Sequence, residues 1–457
     1  MRKPAFRRRD RPGVGRSGGA GSSGKRETVV TPPSRRCGHR TFERLPSAAV
    51  TSVFPLEVVT VVGIGADGWT GLGDPARSAL READVVFGSR RQLGLLPADL
   101  NAERVSWPRP MLPAIPSLLG AHADRRIAVL ASGDPMFFGV GSTLVRQLGP
   151  DRVRVITHPS SISLACARLG WPEEKIEIVS LVGRPVERLH TAIHPGRRVL
   201  ALSADGTTPA QVASLLVARG YGDSQITVLE HLGSEAESRR TARASEWAGE
   251  VTGALNVIAV DCVAAPDARL LPLVPGLPDD AFDHDGQITK REVRAITLAR
   301  LTPIPGQLLW DVGAGAGSIA IEWLRTHRSC RAVAVEHRPD RAARLAGNAA
   351  ALGVPGLTVE VGSVPEALTA LETPDAVFIG GAVTAPGVVE ACWDALKPGG
   401  RLVANAVTIE SEAVLGRWQA ELGGDLTRIE ISRAAPVGGF LGWKPMMPVT
   451  QWVVIKR

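Results

Sequence analysis

The sequence predicts an α/β chain of two separate layered modules, the second a doubly wound parallel sheet. Three observations carry this expectation. Apolar, β-branched runs alternate with helical stretches along most of the chain. In each half a glycine loop follows a strand and opens a helix. A proline-rich segment, 264–278 (AAPDARLLPLVPGLP), breaks the rhythm, which then restarts. The 457 residues suit two or three domains, at ~100–200 residues each. With 44% apolar and 22% charged residues, wholesale disorder, a collagen-like chain and a coiled coil are excluded.

Taken in order, the chain opens with a basic stretch. Residues 1–53 hold thirteen Lys/Arg against three Asp/Glu, a net +10; the whole chain is +7, so the remainder carries −3. This Gly/Ser/Pro-rich tail cannot bury enough apolar surface to offset its ordering entropy and is expected to be disordered. It reads as a dispensable extension or an over-long start of translation rather than a nucleic-acid or membrane arm. Its Arg-rich, acid-poor character bears a faint likeness to an organelle transit peptide, and it lacks the apolar core of a secretory signal.

Strands are expected at 56–63 (LEVVTVVG), 127–133, 153–157, 198–203, 226–230 and 255–262, with helices at 74–82 and 209–220. After the proline-rich linker come the strand GQLLWDVG, the helix SIAIEWLRTH, the strand CRAVAVEHR and the helix RAARLAGNAAALG. The strands LTVEVGS and DAVFIGG, the helix VVEACWDALKPGG and the strand RLVANAV follow. No run of ~18 apolar residues could span a bilayer. Five scattered cysteines with no C-x-x-C give neither a disulfide scaffold nor a metal site, and suit a reduced, cytoplasmic setting.

The loop WDVGAGAG (310–317) has strand before it and helix after it. Gly313, Gly315 and Gly317 let backbone approach a ligand with no Cβ between. Glu336, ending the next strand, can accept hydrogen bonds from both ribose hydroxyls of an adenosine. A dinucleotide enzyme would want G-x-G-x-x-G; here Ser318 stands where the last glycine would fall. Asp311 before the turn suits a cationic ligand and repels a pyrophosphate. A dinucleotide site and a purely structural turn stay as alternatives. The loop resembles motif I of the Rossmann-like class I methyltransferases. With DDAFDHDGQITKREVR, GSVPEAL, FIGG and LKPGGRLVANAVT, the segment 276–457 resembles the C15-methylating, decarboxylating methyltransferases of cobalamin biosynthesis. The resemblance implies S-adenosylmethionine contacts at Thr289, Gly313, Ala314, Gly315, Ala316, Gly317, Glu336, Ser363 and Val364.

The first half carries VVGIGADGWTGL (61–72), LASGDPMFFGVG (130–141), His158-Pro159-Ser160-Ser161 and LSADGTTPAQVASLL (202–216). In this order they resemble the tetrapyrrole methylase family, a two-lobed α/β fold that holds S-adenosylmethionine between its lobes. Implied cofactor positions are Ser132, Gly133, Asp134, Phe137, Ser160 and Ser161, with Gly63, Gly65 and Asp67 bordering the substrate. The family's Pro-Gly before the paired serines is Thr157-His158 here.

Both halves together resemble the bifunctional, decarboxylating C5,15-methyltransferases of cobalamin biosynthesis. That implies residues 54–263 as the C5-methylating domain, 264–278 as a linker and 279–457 as the C15-methylating domain. It further implies one S-adenosylmethionine per half and no metal. The reaction is two methyl transfers to a precorrin, with loss of the C12 acetate carboxyl, from precorrin-6Y to precorrin-8X. A homo-oligomer, a tetramer through the C-terminal half, is implied too. A polycarboxylate substrate calls for cations, and Arg433 and Lys444 flank a Gly/Pro-rich loop, 434–448, able to cover it; Arg109 and Arg184 offer the same in the first half. No residue stands out as catalytic, His284, Glu292 and Asn405 being candidate acids for the decarboxylation. Two rivals remain: a class I RNA or small-molecule methyltransferase with a relic first half, and a non-catalytic scaffold. The −3 outside the tail speaks against a nucleic-acid partner.

Overall fold

The computed structural model describes residues 58–247, 249 and 251–457. The basic tail 1–53 and the start of the expected strand 56–63 lie outside the described residues.

The first half contributes two five-stranded sheets. The first comprises β1 (Val59–Ile64), β2 (Val85–Gly88), β3 (Glu103–Ser106), β4 (Ile127–Ser132) and β5 (Val153–Ile156), in the order β3-β2-β4-β1-β5 and parallel throughout. Its inner strands are near-continuous apolar runs because helices cover both faces. The second holds β6 (Ile176–Ser180), β7 (Arg198–Leu202), β8 (Gln225–Glu230), β9 (Ser238–Arg243) and β10 (Asn256–Asp261), in the order β6-β7-β10-β8-β9; only β6 and β7 are parallel.

The second half is one seven-stranded sheet with a separate hairpin. Its strands are β11 (Leu308–Val312), β12 (Arg331–Glu336), β13 (Thr358–Val361), β14 (Ala376–Ile379), β15 (Arg401–Ala406), β16 (Asp425–Ile429) and β19 (Val449–Ile455), in the order β13-β12-β11-β14-β15-β19-β16. The first five are parallel; β19 is antiparallel to both neighbours. The chain runs outward from β11 through β12 to β13, then returns to β14 on its other side. That reversal opens a crevice at the carboxyl ends of the strands. Trp310, Trp323 and Trp452 are fully buried against this sheet.

Two expectations change. The segment 434–448, read as a loop, forms a hairpin of β17 (Ser432–Val437) and β18 (Phe440–Pro445) around Gly438-Gly439; Gly438, at φ 58°, supplies the positive φ that such a two-residue turn requires. The strands β2, β3, β6, β9, β16 and β19 are not among those expected; β9 (SRRTAR), paired on one side only, needs no apolar run. The segment 264–278 carries no helix or strand, yet Leu271 and Leu277 are buried in the C-terminal core.

Candidate functional site

In the first half the sheet order does the assembling. Because β4, β1 and β5 are neighbours, the loops at their carboxyl ends meet. Gly133, in the left-handed region at φ 58°, donates its N–H to the Ile64 carbonyl at 3.0 Å. A Cβ on Gly63 would stand 2.3 Å from the Gly133 carbonyl oxygen and 2.8 Å from the His158 nitrogen. Ser160 caps the helix Ser161–Leu169, its Oγ accepting from the Ser163 N–H at 3.0 Å. Asp134 Oδ1 accepts from the Met136 N–H at 2.8 Å, and Phe137 meets Phe138 edge-on. A cavity of about 360 Å³ opens among Asp134, Phe137, His158, Ser160 and Glu173. A second, of about 90 Å³, lies between the two sheets beside Gly65, Ser132, Gly133 and Ser161. The cofactor positions expected in this half thus divide between two cavities, Asp134, Phe137 and Ser160 at the larger and Ser132, Gly133 and Ser161 at the smaller.

Several cleft residues carried no sequence signal. Arg91 Nη2 and Gln92 Nε2 both donate to Ser132 Oγ, at 3.0 and 3.1 Å, and burial lowers the Arg91 pKa. Leu229, Leu255 and Asn256 of the second lobe close the far wall. Phe138, itself at φ 53°, lies under the Arg184 guanidinium. An ordinary side chain held at positive φ marks a loop shaped by its surroundings.

In the second half the glycine loop sits at the crevice. Gly313, Gly315 and Gly317 have φ 70°, 57° and 75°. The Gly313 and Ala314 N–H groups donate to the Val335 carbonyl, and Ala316 is buried beneath the turn. Gly317 begins the helix Ser318–Thr326, where a Cβ would press within 2.5 Å of Leu345 Cγ. Glu336, 2% exposed, accepts from the Gly315 N–H at 2.9 Å and the Arg338 N–H at 3.0 Å. Oε1 also lies 3.2 Å from His337 Nδ1, and Oε2 keeps a lone pair for a ligand hydroxyl. Ser363 and Val364 follow β13 beside it, the Gly362 N–H reaching the Glu336 carbonyl at 3.2 Å. The Thr289 carbonyl is held by Arg294 Nη1 at 2.5 Å. Asn348, absent from the sequence reading, donates to the Ala316 carbonyl at 3.0 Å and ties the loop to Asp283.

Asp311 is the electrostatic feature of this loop. One oxygen accepts from the Ala320 N–H at 3.0 Å; among the described residues the other is buried without a partner. Burial, aided by the Glu336 charge, pushes its pKa up to about 7 against the opposing Ala320 bond. An orphaned carboxylate oxygen beneath a bare-backboned turn fits a ligand that brings positive charge. The raised pKa makes the group stabilising as a neutral acid. Its contribution is complete below about pH 4 and is lost as pH climbs through about 7, worth ~4 kcal/mol in all. We expect Asp311→Asn to flatten the stability of the second half between about pH 5 and 7, where the unsubstituted chain loses ~2 kcal/mol. Urea titrations followed by fluorescence of the buried tryptophans check this.

Arg433, Asn405 and His284 are engaged by other residues of the chain. Arg433 pairs with Glu292 at 2.5 Å and lies 3.5 Å from Asp279, with Lys444 opposite it in the hairpin. Asn405 bonds Thr297 and Gln451, and His284 Nδ1 accepts from the Gly286 N–H. Among the described residues no group of three or more His, Cys, Asp or Glu could hold a metal ion, and no helix is long and apolar enough to cross a membrane.

Comparison with known proteins covers both halves. Residues 58–248 match the model of the tetrapyrrole (corrin/porphyrin) methylases, and residues 280–456 match the precorrin methyltransferase domain. A precorrin-6Y C(5,15)-methyltransferase [decarboxylating] from a Sinorhizobium species is 50% identical over 394 residues, covering 86% of this chain and 95% of the relative. The Mycobacterium tuberculosis protein of the same name is 49% identical, over 88% of this chain and all of its own. A cobalt-precorrin-7 C(5)-methyltransferase from Salmonella typhimurium is 34% identical over 180 residues, 39% of this chain and 88% of its own.

Proposed function

The chain belongs to the precorrin-6Y C(5,15)-methyltransferase (decarboxylating) family, and from that membership we propose how its two halves divide the work. The protein is a C-methyltransferase of cobalamin biosynthesis that methylates a precorrin with decarboxylation, and it uses S-adenosylmethionine. In our reading residues 54–263 methylate C5, residues 279–457 methylate C15 and release the acetate carboxyl, and each half holds its own cofactor. The observation that carries it is relatedness over both halves at once, with a glycine-lined cleft in each.

S-adenosylmethionine supplies a methyl already activated on a sulfonium, so the protein must align it, exclude water and manage protons. In the second half Gly313 to Gly317 bring backbone against the ligand, Asp311 offers its unpaired oxygen to positive charge, and Glu336 offers a lone pair to a hydroxyl. Ser363 and Val364 wall the far side. In the first half Ser132 to Asp134 and Ser160 form the corresponding wall, and Arg184 beside Phe138 suits a substrate carboxylate. Arg433 is held by Glu292, so it meets a ring carboxylate only by exchanging partners. The test is the product mass from precorrin-6Y with excess cofactor. Two methyl groups gained and one carbon dioxide lost support the reading; one methyl group gained sinks the assignment of the first half.

Self-association through the second half belongs to the same reading. The hairpin projects Phe440, Leu441 and Trp443, 83%, 74% and 78% exposed. Aromatic side chains on an exposed strand pair suit an interface core. Phe440→Lys with Trp443→Lys is expected to reduce the assembly to single chains in sedimentation velocity; unchanged sedimentation would remove the hairpin from the interface. We further read the enzyme as cytoplasmic, in keeping with the free, buried thiols of Cys166, Cys262, Cys330 and Cys392, and as having no nucleic-acid partner.

A further inference from the structure

We propose that His158 and Asp67 form a proton-accepting pair for methylation in the first half. The inference rests on that half's being the C5 methylase and adds the residue that manages its proton. His158 follows β5, and Asp67 lies in the turn after β1. Their side chains meet over Gly65: a Cβ there would stand 2.4 Å from Asp67 Oδ1 and 2.7 Å from His158 Cε1. Gly71 closes the other side, its Cβ position falling 1.8 Å from Asp67 Oδ2. Two glycines therefore clear the space the pair occupies, and any side chain at either position would displace it.

The contact at Nδ1 assigns the tautomer of the ring. His158 Nδ1 lies 3.1 Å from the Pro159 carbonyl, which can only accept, so Nδ1 carries the hydrogen. In the neutral ring Nε2 then holds a lone pair. Asp67 Oδ2 lies 3.5 Å from Nε2, placed to stabilise the imidazolium once a proton arrives. Asp67 Oδ1 is buried with no partner among the described residues, so its charge is not spent on another cation. The His158 side chain is 9% exposed and borders the 360 Å³ cavity, which Asp134 and Glu173 also line. Among the described residues lining that cavity, the carboxylates are Asp134 and Glu173, and Asp67 is the ion-pair partner of the imidazole.

Replacing hydrogen by methyl on a ring carbon must release one proton. The carbon takes the methyl with an electron pair from the conjugated ring, while the sulfur keeps the pair of the broken S–C bond and leaves as a thioether. The C5–H bond then breaks, its electrons return to the ring, and the proton passes to His158 Nε2.

The test uses the full chain with precorrin-6Y and excess S-adenosylmethionine, following each methylation by product mass. His158→Gln should slow C5 methylation about 100-fold, with C15 methylation unchanged and S-adenosylhomocysteine affinity in the first half within about twofold. Asp67→Asn should slow it as well, since the imidazolium loses its counter-charge, again with affinity kept. An unchanged rate in His158→Gln would overturn the proposal. So would a slowed reaction that loses cofactor affinity in proportion, which marks a structural role. An unsubstituted chain that never methylates C5 would instead overturn the assignment of the half, a result read without any variant.

Discussion

Gly313→Val is expected to abolish methylation by the second half and leave the first half working, so that product mass shows one methyl gained where the unsubstituted chain adds two. Gly313 sits at φ 70°, and a Cβ there would stand 2.9 to 3.0 Å from the backbone of Gly381, in the loop that follows the neighbouring strand β14. Neither backbone can yield without moving β11 against β14. A left-handed branched residue and the overlap together cost ~3–6 kcal/mol, enough to remove any binding that depends on the turn. Gly315→Ala is the control. Its Cβ would have no neighbour nearer than 3.9 Å, so only the strain at φ 57° remains, ~1–2 kcal/mol. Titration with S-adenosylhomocysteine should therefore show loss of one site in Gly313→Val and a weakened but present site in Gly315→Ala. Equal affinities in the two variants would show that contact with Gly381 is not what the turn depends on.

Arg294→Met should destabilise the second half by ~3–5 kcal/mol, because it strands a buried charge. Arg294 is fully buried. Its Nε donates to Glu322 at 2.6 Å, and its other nitrogens reach Asp279 and the carbonyls of Thr289 and Leu277. Glu322, 2% exposed, also accepts from the Gly276 and Leu277 N–H groups at 2.5 and 3.0 Å. Removing the cation leaves that carboxylate with N–H donors alone and frees the segment carrying Thr289. Urea titration should show a lower midpoint, and cofactor affinity should fall with it. The double variant Arg294→Met/Glu322→Met should recover much of the loss, since no charge is then left unpaired. A double variant less stable than Arg294→Met would mean that packing around the ions, and not their mutual compensation, carries the effect.

The order of strands and helices around each glycine loop was legible because both signals are local. LLWDV and VAVE read as buried strands, and glycines at 313, 315 and 317 announce positive φ wherever they sit. Edge elements were not legible. SRRTAR and the hairpin around Gly438-Gly439 face solvent on one side, so their side chains need not follow a buried pattern. Nor was the use of charge legible: Arg433 reads as a free cation for substrate, yet it is paired with Glu292, far away in sequence. Asn348 and Arg91 act on the two clefts through side-chain hydrogen bonds that no spacing rule encodes.

By itself, the sequence determined the layered α/β class, the two modules and the strand ends at which ligand-binding turns occur, since period and backbone freedom are properties of neighbouring residues. Only the tertiary structure decided that β4, β1 and β5 lie side by side, bringing His158 onto Asp67, and that β14 returns beside β11, bringing Gly381 against Gly313. Which loops touch depends on the order in which strands pair across space, and that order follows from how the whole core closes, not from any one segment.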